Sequence, residues 1–310
     1  MKKLLAILLS LALLGWFLSG DRWRTLGEAF AQLGPGVLAW AVAGFFLSYL
    51  LRTLRVYEEF RHDTGGRFLT CLRIVLIHNA MVNVIPFRGG EAAFPLLLQR
   101  HFGTPLARAM ASLFWFRLQD ALVVGMVAIL VWPSLPVVLR IAGILALIGL
   151  AWGLPRWARQ PHNWVERGAL AGKLGKLRDA FAQSTRHARF GWLWTISNWS
   201  VKLAAQAWLL GAVLGAGMAL GAAGALGAEL AAILPIQGVA GFGTYEAGAA
   251  AALLPGGIAF SEGLRAALVL HLFVIACALG AGTLAWLLPV KTLPETAAPD
   301  TESSKSLTHS

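Results

Sequence analysis

The stretch Asn83-Val84-Ile85-Pro86-Phe87-Arg88-Gly89-Gly90-Glu91 interrupts a long apolar part of the chain. A continuous spanning helix does not normally contain such a run, because proline removes a backbone donor and paired glycines weaken the helix. A second stretch, Leu234-Pro235-Ile236-Gln237-Gly238-Val239-Ala240-Gly241-Phe242-Gly243-Thr244-Tyr245-Glu246, also places a proline and glycines before a glutamate. Irregular backbone at membrane depth is tolerated only inside protein or beside a wet cavity. The two interruptions therefore predict two broken, re-entrant helices with a binding site between them.

The composition indicates a polytopic helical membrane protein. Of the 310 residues, 57% are hydrophobic and only 13% are charged, whereas soluble domains carry roughly 25% charged residues. The net charge of +11 does not indicate a nucleic-acid partner, because the positive-inside rule and anionic lipid headgroups account for it. Cys71 and Cys277 have no disulfide or metal-ligand spacing. We therefore predict an all-α protein that needs neither metal nor cofactor.

The positions of the lysines and arginines predict the topology. Apolar runs predict full spans at residues 4–18, 36–51, 109–132, 137–154, 192–214 and 264–288. The polar segment 155–190 carries eight Lys or Arg, so it belongs in the cytosol. That placement requires a cytosolic N-terminus, residues 68–102 re-entering from the cytosol and residues 221–254 re-entering from outside. This is the arrangement of an inverted repeat. Residues 1–290 then form one transmembrane domain, and residues 291–310 form a disordered polar tail.

Ionisable side chains inside apolar segments are the candidate site residues. Each costs about 2.5–3.5 kcal/mol to insert at mid-helix, which makes each a functional hypothesis. Arg88, followed by Gly89 and Gly90, resembles a phosphate site in which a guanidinium adjoins free backbone N–H groups. Glu91 and Glu246 fall in the first turn of a following helix, where its dipole favours a carboxylate, and Thr244 is a candidate N-cap. The full set is Asn83, Arg88, Gly89, Gly90, Glu91, Arg117, Asp120, Lys202, Gly241, Gly243 and Glu246.

Each of these candidates also has a simpler interpretation. Both interruptions are also compatible with kinked helices whose glycines allow close packing. Arg117 and Asp120 are three residues apart, so they form either a self-contained ion pair or part of the site. The simpler interpretation of Lys202 is a side chain that snorkels to the interface, although the residue lies deep in its span, which makes snorkelling awkward. Asn83 shares a helix face with His78 and Asn79, which suits either a cavity wall or hydrogen bonds between helices. His271 is alone in the last span and is interpreted as a core residue.

Four motifs together resemble the transmembrane, flippase half of the lysylphosphatidylglycerol synthases, a region that also occurs in stand-alone inner-membrane proteins. They are Asn83 to Glu91, Gly103-Thr104-Pro105, Arg117-Leu118-Gln119-Asp120, and Pro235 to Glu246. The family's Pro-x-Arg-x-Gly-Glu element maps onto Pro86, Arg88, Gly90 and Glu91, and its Arg-x-x-Asp onto Arg117 and Asp120. One departure is Phe94-Pro95, where relatives often carry a basic residue.

The resemblance implies a helical bundle that translocates lipid in the bacterial inner membrane. No aminoacyltransferase domain follows the bundle in this sequence, so we do not expect synthesis of a lysyl-lipid. The first hypothesis is a flippase, without catalytic residues, for an anionic or amphipathic lipid. The alternatives are a membrane-embedded lipid-modifying enzyme and an accessory subunit of lipid or glycolipid biosynthesis. Expected partners are a phospholipid or other membrane lipid, with a lipid-biosynthesis enzyme and a second copy of the chain as further candidates.

The topology can be tested by cysteine accessibility in a cysteine-free background. Phe102→Cys and Phe190→Cys should react with a membrane-impermeant reagent only from the cytosolic side. Ser134→Cys and Ser261→Cys should react only from outside, because the positive-inside rule places the basic segment in the cytosol. Labelling of Phe102→Cys from outside would make residues 68–102 a full crossing and contradict the re-entrant assignment.

Overall fold

The computed structural model describes residues 27–287 apart from residues 29, 32, 86–88, 133–134, 165–167, 188 and 234–238. The predicted first span at 4–18, the predicted tail at 291–310 and Arg88 therefore lie outside the described residues. The described part is helical and contains no strand, which confirms the all-α prediction. Its helices are α1 (Pro35–Glu59), α2 (Arg61–Thr64), α3 (Phe68–Val84), α4 (Ala93–Phe102), α5 (Leu106–Val131), α6 (Val137–Ala158), α7 (Ala169–His187), α8 (Gly191–Val213), α9 (Met218–Ile233), α10 (Thr244–Leu253) and α11 (Phe260–Leu287).

Four of these helices, α1, α5, α6 and α11, are long and apolar enough to cross a membrane. The pair α8 and α9, bent by 117° at its connection, raises the number to five if it is counted as one broken span. Among the described residues of α6, only Pro155 and Ala158 are buried, so this helix lies at the periphery with its apolar surface outward. The prediction of a polytopic membrane protein is confirmed.

The first interruption is a true reversal of the chain. We call residues 68–102 the first hairpin: α3, a short 3-10 turn (Gly89–Ala92) and α4. A Cβ on Gly90 would overlap the carbonyl of Met81, so only glycine fits where the turn folds onto α3. The rings of Phe94 and His78 lie 5.3 Å apart, and Cys71 shares a core cluster with Phe102. α4 therefore runs back along α3, and the alternative of a kinked but continuous helix is wrong here.

The second interruption reverses the chain in the same way. We call residues 218–253 the second hairpin: α9, a 3-10 turn (Val239–Gly241) and α10. A Cβ on Gly248 of α10 would lie 2.5 Å from the carbonyl oxygen of Gly227 and 2.5 Å from Cβ of Ala231. Small residues on both helices therefore bring the two backbones into contact, as is common where membrane helices associate.

The two hairpins enter the bundle from opposite ends. α1 and α8 are antiparallel, because Ser48 bonds to Asn198 at 2.7 Å and Glu58 accepts from the Trp194 indole at 2.9 Å. Helices of 25, 17, 10 and 26 residues (α1, α3, α4, α5) are followed later by helices of 23, 16, 10 and 28 residues (α8, α9, α10, α11). Antiparallel lead helices and a repeated order of lengths are the features of an inverted repeat.

Contacts at the helix ends confirm this arrangement. The chain leaves the first hairpin where Thr104 and Arg108 bond to Asp63, and the backbone N–H of Phe190 donates to Glu58 at the same end of the bundle. The second hairpin starts and finishes at the other end, where Leu220 meets the turn after α10. Which end faces the cytosol stays a prediction.

The basic segment 155–190 contains a helix rather than loop alone. Phe181 of α7 packs edge-on against Trp115 of α5, with ring centroids 5.5 Å apart, and the Arg178 guanidinium donates to the carbonyl of Trp157 at 2.5 Å. Lys173 and Lys176 point outward and are exposed. The segment therefore covers the end of the bundle where the first hairpin begins.

The close contact within the second hairpin predicts that a glycine-to-alanine change in α10 lowers stability, which is the opposite of its usual effect in a helix. Glycine in a helix interior normally gains about 1 kcal/mol of stability on replacement by alanine. Gly248→Ala should instead lower the thermal unfolding midpoint in detergent, because overpacking costs about 1–3 kcal/mol. Gly280→Ala is the matched control, since a Cβ there meets nothing within 4 Å. Equal stabilisation by both changes would contradict the packing.

Candidate functional site

A cavity of about 230 Å³ lies where the tips of the two hairpins meet. Ile85 and Glu91 of the first hairpin line it, as do Ile233 and Gly241 of the second. α1, α5, α8 and α11 form the remaining walls. The polar side chains that line it are Arg52, Asn79, Asn83, Glu91, Arg117, Asp120, Trp199, Lys202, Glu229, Thr244, Tyr245 and His271.

Asp120 of α5 is the acceptor that organises one side of the cavity. Its carboxylate lies 2.7 Å from Nη1 of Arg55 on α1 and accepts from the Trp199 indole on α8 at 3.0 Å. The guanidinium of Arg52 lies 3.8 Å away, on the cavity wall. Arg55 also donates to the Phe116 carbonyl at 2.7 Å. The Arg55–Asp120 pair is buried, so it neutralises itself and ties three helices together.

Glu91 connects the first hairpin to this cluster. Its Oε1 lies 2.7 Å from Nη2 of Arg117, and its Oε2 lies 3.2 Å from Nε2 of His78. Arg117 is farther from Asp120, at 3.6 Å. The tightest partner of Arg117 is thus on another element, so Arg117 and Asp120 are not a self-contained intrahelical pair.

Lys202 and Glu229 form the opposite wall. Nζ of Lys202 lies 2.7 Å from Glu229 on α9 and 4.6 Å from the centre of the Trp199 ring. Gln206 donates to Glu229 at 2.6 Å and bonds to the Tyr245 hydroxyl at 3.0 Å. Lys202 is therefore held inside the bundle and does not extend to the interface.

Glu246 supports the break of the second hairpin. One carboxylate oxygen accepts from the Gly243 N–H at 2.7 Å, and the other lies 2.6 Å from Nδ1 of His271. Gly243, with φ +88°, is the N-cap of α10, so the prediction of Thr244 as N-cap is wrong by one residue. Gly241 also has a positive φ, of 84°, which explains why glycine is needed at this bend.

The part of the wall that faces the cavity is mainly cationic. The side chains of Arg117, Arg52 and Lys202 are 31%, 25% and 22% exposed, whereas those of Asp120 and Glu229 are each 6% exposed. Glu91 is the exception among the carboxylates, at 22%. Buried carboxylates thus hold cations whose side chains remain partly exposed. Such a surface suits an anion, above all a phosphate.

Most of the predicted site residues come together at this cavity. Those that line it are Asn83, Glu91, Arg117, Asp120, Lys202 and Gly241. Gly90 and Gly243 shape the hairpin turns behind the wall, Glu246 supports the lining residue His271, and Gly89 is the exposed first residue of the first turn. Arg88 lies outside the described residues, so its phosphate role stays a prediction.

Several site residues were missed by reasoning from the sequence. Arg52 and Arg55 follow the predicted span at 36–51, but α1 continues to Glu59 and carries both into the bundle. His271 was interpreted as core, yet it lines the cavity. Glu229 was overlooked, although a lone carboxylate in an apolar segment is the signal that selected the other candidates.

Comparison with protein families identifies the chain. The family described as Lysylphosphatidylglycerol synthase TM region matches residues 3–282. The chain belongs to this family. Neither the search of curated proteins nor the search of solved structures finds a match. Membership relates the chain to lipid modification or transport in a membrane.

The buried pair provides a test of what holds the site together. Asp120→Ala leaves the Arg55 charge buried beside an empty position, which should destabilise the protein by about 3–5 kcal/mol. The double variant Arg55→Met, Asp120→Leu should recover most of the thermal unfolding midpoint in detergent, because neither charge then remains.

Asp63→Ala is the control, because its partner Arg108 lies 3.0 Å away and both side chains are partly exposed, at 18% and 20%. It should cost about 1 kcal/mol or less. A double variant no more stable than Asp120→Ala would contradict the pairing.

Proposed function

We propose that this protein is a lipid flippase that moves a phospholipid with an anionic headgroup between the leaflets of the bacterial inner membrane, with a cytosolic N-terminus. The observation that carries the proposal is the polar cavity where two hairpins from opposite ends of the bundle meet. A site reached from both ends is what alternating access requires. Family membership supports a lipid as the substrate.

The headgroup would be bound by Arg52, Arg117 and Lys202. Guanidinium groups bind phosphate oxygens in pairs, and the partly exposed donors of the two arginines face the same space. Lys202 adds a compact positive charge from the opposite wall. Asn79 and Asn83 contribute neutral amides on the face of α3, which suits hydroxyl groups of a headgroup.

The size of the cavity favours binding of the headgroup alone. Pockets that enclose whole drug-sized ligands measure about 300–1,000 Å³, and this cavity measures about 230 Å³. The acyl chains would therefore stay in the bilayer while the headgroup passes between the hairpins. The lipid would leave chemically unchanged, so in this proposal the protein is a transporter and not an enzyme.

The proposal can be tested with purified protein in vesicles of phosphatidylcholine and fluorescent phosphatidylglycerol. A reagent that quenches only the outer leaflet should quench all the fluorescence in vesicles with protein and about half without it, as expected for two equal leaflets. Arg117→Gln should slow the movement at least about tenfold, because a charge-assisted hydrogen bond contributes about 1.5–3 kcal/mol.

Arg265→Gln is the matched control, because this exposed arginine lies at the start of α11 away from the cavity lining. It should move lipid at the wild-type rate. If the vesicles with protein lose only the same half of their fluorescence as the vesicles without it, the proposal is refuted. Recovery of a modified lipid by mass spectrometry would favour the enzyme instead.

A further inference from the structure

His271 and Glu246 form a buried acid–base pair on the cavity wall. The imidazole Nδ1 and the carboxylate Oε1 are 2.6 Å apart, and the two side chains are only 4% and 7% exposed. His271 itself belongs to the cavity lining, whereas Glu246 lies behind it and also accepts from the Gly243 N–H. The pair thus connects the cavity with the break of the second hairpin.

Among the described residues, the charges around the cavity are unevenly divided between its two sides. On the side of α1 and α5, the three arginines at 52, 55 and 117 face two carboxylates, Glu91 and Asp120. This side carries one excess positive charge when all are ionised. On the other side, Lys202 faces Glu229 while Glu246 has only His271. That side carries one excess negative charge unless the imidazole takes up a proton.

The groups that surround His271 come from several packed helices. From α10, the Tyr245 ring stacks on the imidazole at 4.4 Å, and a carboxylate oxygen of Glu246 lies 2.6 Å from the imidazole Nδ1. From α9 and α8, the cavity receives Glu229 and Lys202, which pair with each other at 2.7 Å.

Another neighbour, α3, contributes the uncharged Asn79 and Asn83 to the cavity, while its own His78 pairs with Glu91. Among the described residues, Glu246 is therefore the carboxylate nearest to His271, and it has no lysine or arginine as a partner.

We propose that the His271–Glu246 pair binds the proton that accompanies an anionic headgroup, so that lipid and proton cross together. A hydronium ion gives its proton to the lone pair of the imidazole nitrogen that does not face Glu246 and leaves as water, while the Nδ1–H bond to the carboxylate is kept. The product is an imidazolium–carboxylate ion pair, and the proton leaves by the reverse step on the other side. This inference rests on the proposed function.

The binding of the headgroup and the binding of the proton are coupled by electrostatic attraction. With the imidazole neutral, the positive and negative side chains counted above balance, so an anionic headgroup adds one uncompensated negative charge. Proton uptake at His271 cancels that charge within a poorly screened interior, where opposite charges attract strongly. By reciprocity, the headgroup raises the affinity for the proton by the same factor as the proton raises the affinity for the headgroup.

The first experiment measures proton uptake by the purified protein in weakly buffered detergent with a pH indicator. Addition of short-chain phosphatidylglycerol should cause uptake of protons, and short-chain phosphatidylcholine should cause less. The affinity for phosphatidylglycerol should be at least about fivefold higher at about pH 5.5 than at about pH 8, on either side of the usual titration range of histidine. Binding of phosphatidylglycerol without proton uptake would overturn the proposal.

The second experiment uses the vesicle assay with a pH difference across the membrane. Fluorescent phosphatidylglycerol should accumulate in the leaflet facing the alkaline side. His271→Gln should lose this response, and Glu246→Gln should weaken it. His162→Gln is the matched control, because His162 also pairs with a carboxylate, Asp179, at 2.9 Å, but outside the cavity.

The outcomes of these experiments distinguish the proton site from the proposed flippase function. Wild-type protein that moves lipid without regard to the pH difference overturns the proton site and leaves the flippase proposal intact. A folded His271→Gln variant that keeps the response also overturns the proton site. Wild-type protein that moves no lipid refutes the proposed function, and the uptake measurement then decides the proton site separately.

Discussion

The buried contact between Arg55 and Asp120 is the interaction on which the rest of the site depends. Asp120 also accepts from Trp199 and lies close to Arg52, so one carboxylate joins α1, α5 and α8. A charge inside a membrane protein is tolerated only when it is paired or hydrated. Because Asp120 pairs with the buried Arg55, the partly exposed side chains of Arg52 and Arg117 can border the cavity without leaving the interior unbalanced.

Backbone polarity imposes the second constraint. A chain that bends inside a bilayer must cover its free N–H and C=O groups with protein or water. Both hairpins meet this demand at the same place, where their turns border one cavity. Glycines make the bends possible: Gly90 fits against the Met81 carbonyl, and Gly243 caps α10 with the carboxylate of Glu246 bonded to its N–H.

The inverted order of helices gives the cavity two chemically different walls. The first half contributes arginines held by Asp120 and Glu91, whereas the second contributes Lys202, Glu229 and the Glu246–His271 pair. The halves repeat in helix length and direction but not in side-chain chemistry. A proton-binding group on one wall and phosphate-binding groups on the other can then act on the same headgroup.

The sequence by itself determined the membrane class, the family motifs and the two interruptions, because apolar runs, proline and paired glycines act locally. It also marked Glu91, Arg117, Asp120 and Lys202, since an ionisable group in an apolar run is conspicuous without knowledge of its partner. Only the tertiary structure decided those partners: Arg55 reaches Asp120 across 65 positions and Lys202 reaches Glu229 across 27. Arg52 and Arg55 fall outside the predicted span because the apolar run ends at Leu51, while the α1 helix continues for another two turns. Helix length and side-chain pairing depend on what packs alongside, and a linear pattern does not contain that information.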